Sequence, residues 1–252
     1  LARSTTSSSD SSPDTEAPLL LLHEVHTVAG KHEDEFEGAF RDGWMPTVAS
    51  DDGARLLYFL RLAHGTGRAY HTVTITALRD GAAYERLATR VQRGDLRSWA
   101  ADLDLLRHEV SGKLLLPVDW SPMADLDLTT VPADGREHDA VLYMEDSAWP
   151  HEASLDRYLD KARTHYAPSL QERTERSLLT LLGVFQAALG AVRRREVVLW
   201  QRVDFPERLP ALFTRELPAH VKGPGTWMHD ALEVRDDWES RLLRSARWSP
   251  LG

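Results

Sequence analysis

The chain of 252 residues contains no cysteine. That absence excludes disulfides, thiolate metal sites, iron–sulfur clusters and cysteine nucleophiles together. Lysine is scarce: only Lys31, Lys113, Lys161 and Lys222 are present, so arginine carries most of the positive charge. The 39 acidic residues outnumber the 30 basic ones, and a formal charge of −9 offers no basic face to nucleic acid. No apolar run approaches the roughly 18 residues of a membrane span. The longest, around Leu19 to Leu22, has the length of a strand. Phosphate-binding Gly-rich loops, Gly-x-Ser-x-Gly and His-Glu-x-x-His are also missing, which sets aside the commoner nucleotide-binding and hydrolase chemistries.

What is present is an ordinary globular composition, 42% apolar and 27% charged. Residues 1–18 form a Ser/Thr/Asp/Pro stretch with too little apolar surface to fold, and a disordered tail is expected. They lack the basic and apolar regions of a signal peptide, so a cytoplasmic protein is expected.

The rest of the chain is a repeat. Trp99 to Pro122 aligns with Trp227 to Pro250 at an offset of 128 without a gap, and eight of 24 positions are identical, including Trp99/Trp227, Arg107/Arg235 and Trp-Ser-Pro at 120–122 and 248–250. Average usage gives about one or two matches by chance. At offset 122, Phe36 meets Tyr158, Trp44 meets Tyr166 and Pro46 meets Pro168; at offset 125, Gly65 meets Gly190.

Each copy reads β-α-β-β-α-β. Leu19 to Val28 is strand-like, and Phe36, Phe40 and Trp44 mark a helix that Pro46 is expected to end. Leu56 to His64 and Tyr70 to Leu78 read as a hairpin, Gly81 to Val110 as helical with a break at Gly94, and Lys113 to Val118 as the closing strand. The expected organisation is a first ferredoxin-like unit over 19–122, a linker over 123–137 and a second unit over 138–252. Both alternating sets of Leu56 to His64 are largely apolar, so both faces of this sheet should be covered. The second sheet is the obvious cover, giving two ferredoxin-like units packed sheet to sheet as one α+β barrel.

The run His23-Glu24-Val25-His26-Thr27-Val28-Ala29-Gly30-Lys31 with Glu35-Phe36 resembles the opening of NIPSNAP-like proteins of the dimeric α+β barrel superfamily. The resemblance covers Leu19 to Pro122 and, more loosely, the second copy. It implies a fold shared by cofactor-free monooxygenases, polyketide cyclases, isomerases, haem-degrading enzymes and chlorite dismutases. No catalytic motif carries across with it.

The candidate catalytic residues are His26, His64 and His71, which the expected topology gathers at one sheet edge. There they serve as base and proton shuttle or hold a metal, with Glu24 orienting one of them. Solvated strand-end histidines are the alternative. Trp44, Tyr58 and Trp99 are candidates to line an apolar substrate pocket, with Arg61 as its polar anchor; core packing and an internal salt bridge are the alternatives. Arg107/Arg235 read as structural because both copies keep them. Together these point to a small-molecule enzyme acting on an apolar aromatic or polyketide-like substrate by oxygenation, cyclisation or isomerisation, with no organic cofactor. A binding scaffold and a haem or metal protein are the alternatives. The expected partners are the substrate and a second copy of the chain as a homodimer, with neither nucleic acid nor membrane.

Overall fold

The structure, a computed structural model, describes residues 18–51, 53–171, 178–191, 193, 195–216, 218 and 222–252. Of the tail expected over 1–18, all but Pro18 lies outside the described residues. The first half supplies strands β1 (Leu20–Val28), β2 (Ala54–Leu62), β3 (His71–Leu78) and β4 (Arg107–Pro117). The second supplies β5 (Leu142–Trp149), β6 (Leu179–Leu189), β7 (Val197–Val203) and β8 (Asp237–Ser245). They close into one antiparallel barrel in the order β1-β3-β2-β8-β5-β7-β6-β4. Within each half the order is fourth, first, third, second, the ferredoxin-like arrangement. The expected fold class is the observed one.

Two short seams join the halves, Leu60↔Ser245 to Leu62↔Leu243 and Leu114↔Leu189 to Pro117↔Phe185. The repeated Trp-Ser-Pro motif extends both. Ser249 Oγ accepts the Phe59 backbone N–H at 3.1 Å, and Ser121 Oγ accepts that of Val184 at 2.9 Å. Each serine is buried and satisfies a strand donor of the opposite half.

A β-bulge interrupts β2 between Leu56 and Tyr58, and β6 between Leu181 and Gly183. The extra residue swaps the alternation. Leu56 and Phe59 therefore face the helices, while Leu57, Tyr58 and Leu60 face the lumen. Both faces of β2 are covered, as its doubly apolar pattern requires.

The lumen is apolar at one end and charged towards the other. Leu21, Leu115, Tyr143, Phe185 and Trp200 fill the apolar end. Met123, Leu128 and Val131 pack among them, so the chain between the halves plugs the barrel as well as connecting them. In mid-lumen His23 Nε2 lies 2.6 Å from Glu145 Oε2, both side chains being 1% exposed. Arg241 Nη1 stands 3.6 Å from the other Glu145 oxygen. Lys113 donates to Glu196, which also accepts from Ser147 Oγ at 3.1 Å. Burial raises the Glu145 pKa, but His23, Lys113 and Arg241 outweigh it and draw the carboxyl down to about 2.

The helices lie outside the barrel. Helix α1 (Glu33–Gly38) runs through a π-helical turn (Ala39–Trp44) into α2 (Met45–Ala49). Pro46 therefore does not end the helix. It has no N–H to give and its ring crowds the preceding turn, which widens: the Met45 N–H reaches back to the Phe40 carbonyl. The second half repeats this with α5 (Leu155–Lys161), a π turn (Ala162–Tyr166) and α6 (Ala167–Gln171), around Pro168.

The helical reading of Gly81 to Val110 runs too far. Helices α3 (Gly81–Arg93) and α4 (Arg97–Asp104) stop short, and Arg107 already begins β4, pairing with Val28. Residues 108–112 of β4 are exposed, so its first half lacks the apolar alternation that marks a strand. In the second half, α7 (Leu209–Thr214) and α8 (Trp227–Asp230) are shorter, in a proline-rich stretch. Among the described residues no helix is long and apolar enough to cross a membrane.

Candidate active site

Strand alternation divides β1 between two environments. His23, Val25 and Thr27 point into the lumen, whereas Glu24 and His26 point towards the helices of the first half. There a cavity of about 120 Å³ is walled by Phe40, Trp44, Leu87 and Trp99, with Glu24 and Arg107 on its polar side. Trp44 and Trp99 stack with centroids 5.0 Å apart and planes at 21°. Trp44 Nε1 donates to Thr76 Oγ1 at 3.1 Å. Trp99 lies against the π turn at Gly43, where a Cβ would stand 2.7 Å from Trp99 Nε1, so the close approach requires glycine.

Arg107 is held from two sides. Its Nε and Nη2 donate to Asp104 Oδ1 at 3.0 and 2.6 Å, and its Nη1 lies 2.9 Å from His26 Nδ1. A guanidinium only donates, so His26 Nδ1 accepts and the imidazole proton sits on Nε2, facing Thr74 Oγ1 at 3.0 Å. Burial, then Arg107 and His23, lowers the His26 pKa to about 3. His26 is thus a neutral acceptor that aims Arg107, with no ring nitrogen left for a ligand. Burial raises the Glu24 pKa above its ordinary value of 4.5 against the pull of Arg107. Among the described residues no hydrogen-bond donor is seen on its carboxylate. An unpaired carboxylate with raised basicity, an aromatic wall and a fixed guanidinium together suit proton removal with stabilisation of the anion formed.

The three candidate histidines are not brought together. His26 lies beneath the helices, and His71 is on the lumen side with its Nε2 3.3 Å from Thr27 Oγ1. His64 is exposed in the hairpin loop. The loop turns earlier than expected, at Ala63 with Gly65 at φ +82°, and β2 pairs Arg61 with Thr72, so His64 never faces His71. No group of three or more His, Asp or Glu among the described residues is placed to hold a metal.

The proposed substrate residues separate as well. Trp44 and Trp99 line the cavity, but the bulge turns Tyr58 into the lumen, 5.3 Å from Tyr143 and 5.2 Å from Trp200. Arg61 is taken up by acidic residues at the start of the first helix, Glu33 at 3.3 Å, Asp34 at 3.8 Å and Glu37. The residue that sequence reasoning missed is Arg107. Its repetition as Arg235 reads as structural, and the helical reading of Gly81 to Val110 hides it, because only the true start of β4 at Arg107 sets it on the strand beside Glu24.

The second half fills the equivalent place with its own side chains. Asp146 stands for Glu24, Tyr166 for Trp44 and Gln201 for Thr76. Tyr166 donates its hydroxyl to Gln201, which donates to Asp146 Oδ2 at 2.9 Å. The equivalent carboxylate is hydrogen-bonded here through Oδ2, while its Oδ1 is buried without a partner among the described residues.

No protein-family model matches the chain, and no curated protein matches its sequence. Among solved structures, a proposed monooxygenase from Fusobacterium nucleatum superposes with a TM-score of 0.60 at 8% identity, covering 94% of this chain and 96% of that one. An anthrone oxidase-like protein gives 0.56 at 10% identity, covering 92% of each chain. A NIPSNAP family protein from Agrobacterium tumefaciens spans 42% of this chain and 92% of its own, with a TM-score of 0.37 at 16% identity. At these identities the likeness is one of fold. The chain is a dimeric α+β barrel whose two units are supplied by a single polypeptide.

Proposed function

We propose that the chain is a small-molecule enzyme whose first-half cavity takes a planar, apolar substrate with an acidic O–H or C–H bond. Glu24 removes the proton, and Arg107, aimed by His26, stabilises the oxyanion. The observation that carries this reading is the half-buried carboxylate of Glu24, with no hydrogen-bond donor on it among the described residues, facing stacked tryptophans beside a fixed guanidinium. Returning the proton from Glu24 to a different atom completes an isomerisation or cyclisation. Oxygenation requires the anion to react with dioxygen as co-substrate, a branch favoured by the names of the monooxygenase and anthrone oxidase-like neighbours. An apolar cavity of about 150 Å³ holds benzene. The 120 Å³ here is smaller still, which sets aside a fused polyketide-like skeleton and leaves room for one ring at most.

Exchange of substrate C–H for deuterium in D₂O, followed by NMR over a panel of single-ring phenols and enolisable ketones, tests the step without presuming its outcome. Wild-type protein should catalyse exchange, and Glu24→Gln should slow it by about 10²–10⁴-fold with an unchanged melting temperature. The rate should rise with pH through a midpoint above 4.5, because the ionised carboxylate is the base and burial raises its pKa. Full exchange by Glu24→Gln refutes the assignment.

A further inference from the structure

The barrel end opposite the plug of Met123, Leu128 and Val131 opens into a second cavity of about 430 Å³, on the lumen side of β1. Val25, Val73 and Leu243 form an apolar wall, and Arg68, His71 and Arg241 bring nitrogen donors to the same space. Both halves contribute, since Arg241 and Leu243 come from β8 and the others from β1, β3 and the loop between β2 and β3. Arg241 is held in place: its Nε donates to Glu239 at 3.0 Å, and its Nη1 lies 3.6 Å from Glu145. His71 has one nitrogen on Thr27, and burial first, then Arg68 and Arg241, hold its pKa below the ordinary imidazole value, with Glu109 opposing them.

We propose that the barrel mouth is a ligand site, separate from the first-half cavity, for a small organic carboxylate. Its anion sits between Arg68 and Arg241 beside His71, and its apolar body lies on Val25, Val73 and Leu243. Guanidinium pairs suit carboxylate geometry. Glu239 and Glu145 are engaged with Arg241 and Glu109 stands in the same mouth, so there is no surplus of positive charge for a dianion such as phosphate. A single carboxylate is held by the N–H groups of Arg68 and by the Arg241 Nη2 that those pairs leave over. An arriving carboxylate offsets the two guanidiniums that disfavour protonation of His71, so binding draws a proton onto the imidazole.

Histidine-resolved NMR with benzoate as the probe tests this, with benzyl alcohol as its neutral counterpart and inorganic phosphate as the dianion. Benzoate should bind once per chain, move the His71 signals, raise their titration midpoint and leave those of His26 in place. Arg68→Ala, on the exposed loop, should weaken binding about tenfold, the loss of one charge-assisted contact. Arg241→Gln should do the same if it folds; Arg68→Ala decides the matter if it does not. Movement of His26 instead of His71 overturns the proposal. So do benzyl alcohol or phosphate binding as tightly as benzoate, or benzoate affinity unchanged in Arg68→Ala.

Discussion

Replacing Glu145 by Gln preserves the shape of the side chain and removes the charge around which the middle of the lumen is organised. The carboxyl is 1% exposed and faces His23 at 2.6 Å and Arg241 at 3.6 Å. Its pKa falls from 4.5 to about 2. A depression of that size corresponds to about 3 kcal/mol of stability at neutral pH. Because the folded value is the lower one, this contribution is complete above the unfolded pKa and is lost as pH falls from about 5 to about 2. Denaturant and thermal melts of both proteins between pH 7 and pH 2 measure it. At pH 7 the variant should be less stable by about 3 kcal/mol, or about 6–12 °C for a chain of this size. The difference should shrink through the acid range and vanish near pH 2. Other carboxylates titrate in both proteins, so the difference curve isolates Glu145. Two parallel curves would mean that the charge contributes nothing and that His23 and Arg241 do not act on it as described.

The seam serines should behave alike: Ser121→Ala and Ser249→Ala each leave a buried strand N–H unpaired and should cost about 1–3 kcal/mol in chemical denaturation. Equal stability of either variant and wild type would dismiss that role. The repeat-equivalent glycines should differ. Gly65 at φ +82° has open space around it, so Gly65→Ala should cost only about 1–2 kcal/mol of left-handed strain. Gly190 at φ +79° would set a Cβ 2.5 Å from the Gly112 carbonyl oxygen, and Gly190→Ala should cost about 1–3 kcal/mol more.

The architecture was legible because duplication writes the same pattern twice, and because β2 is apolar on both alternating sets. The bulges at β2 and β6 were not legible: a strand apolar on both faces reads the same in either alternation, so the pattern groups Tyr58 with Trp44 and Trp99 although it faces the lumen. The spacing of Phe36, Phe40 and Trp44 did indicate a helix. Steps of four on both sides of Phe40 also suit the wider π turn, which is why Pro46 is tolerated. The candidate site was half visible. Trp44 and Trp99 line one cavity, and His26 borders it through Arg107. In the function proposed, the chemistry expected of imidazole falls to Glu24, because burial beside a guanidinium makes His26 neutral, and burial is a three-dimensional property. Arg61 stands close in sequence to no acid, and its partners Glu33, Asp34 and Glu37 reach it only once the helix is laid over the sheet.

The contact between His23 and Glu145 spans 122 residues, the same offset that relates the opening segments of the two copies. Equivalent residues that touch lie on the internal two-fold axis, where a symmetric homodimer would bring each residue against its own copy. Two second units would set carboxylate on carboxylate at that point, and one of them would have to keep a proton. Two first units would set imidazole on imidazole. A His–Glu pair on the axis is closed to a homodimer of either unit and open to a chain that holds both copies. With both units on one chain the axial residues need not match, and neither unit as it stands is a suitable mate for itself. The two helix–sheet interfaces differ as well: one is filled by Tyr166, Gln201 and Asp146, and the other keeps a cavity.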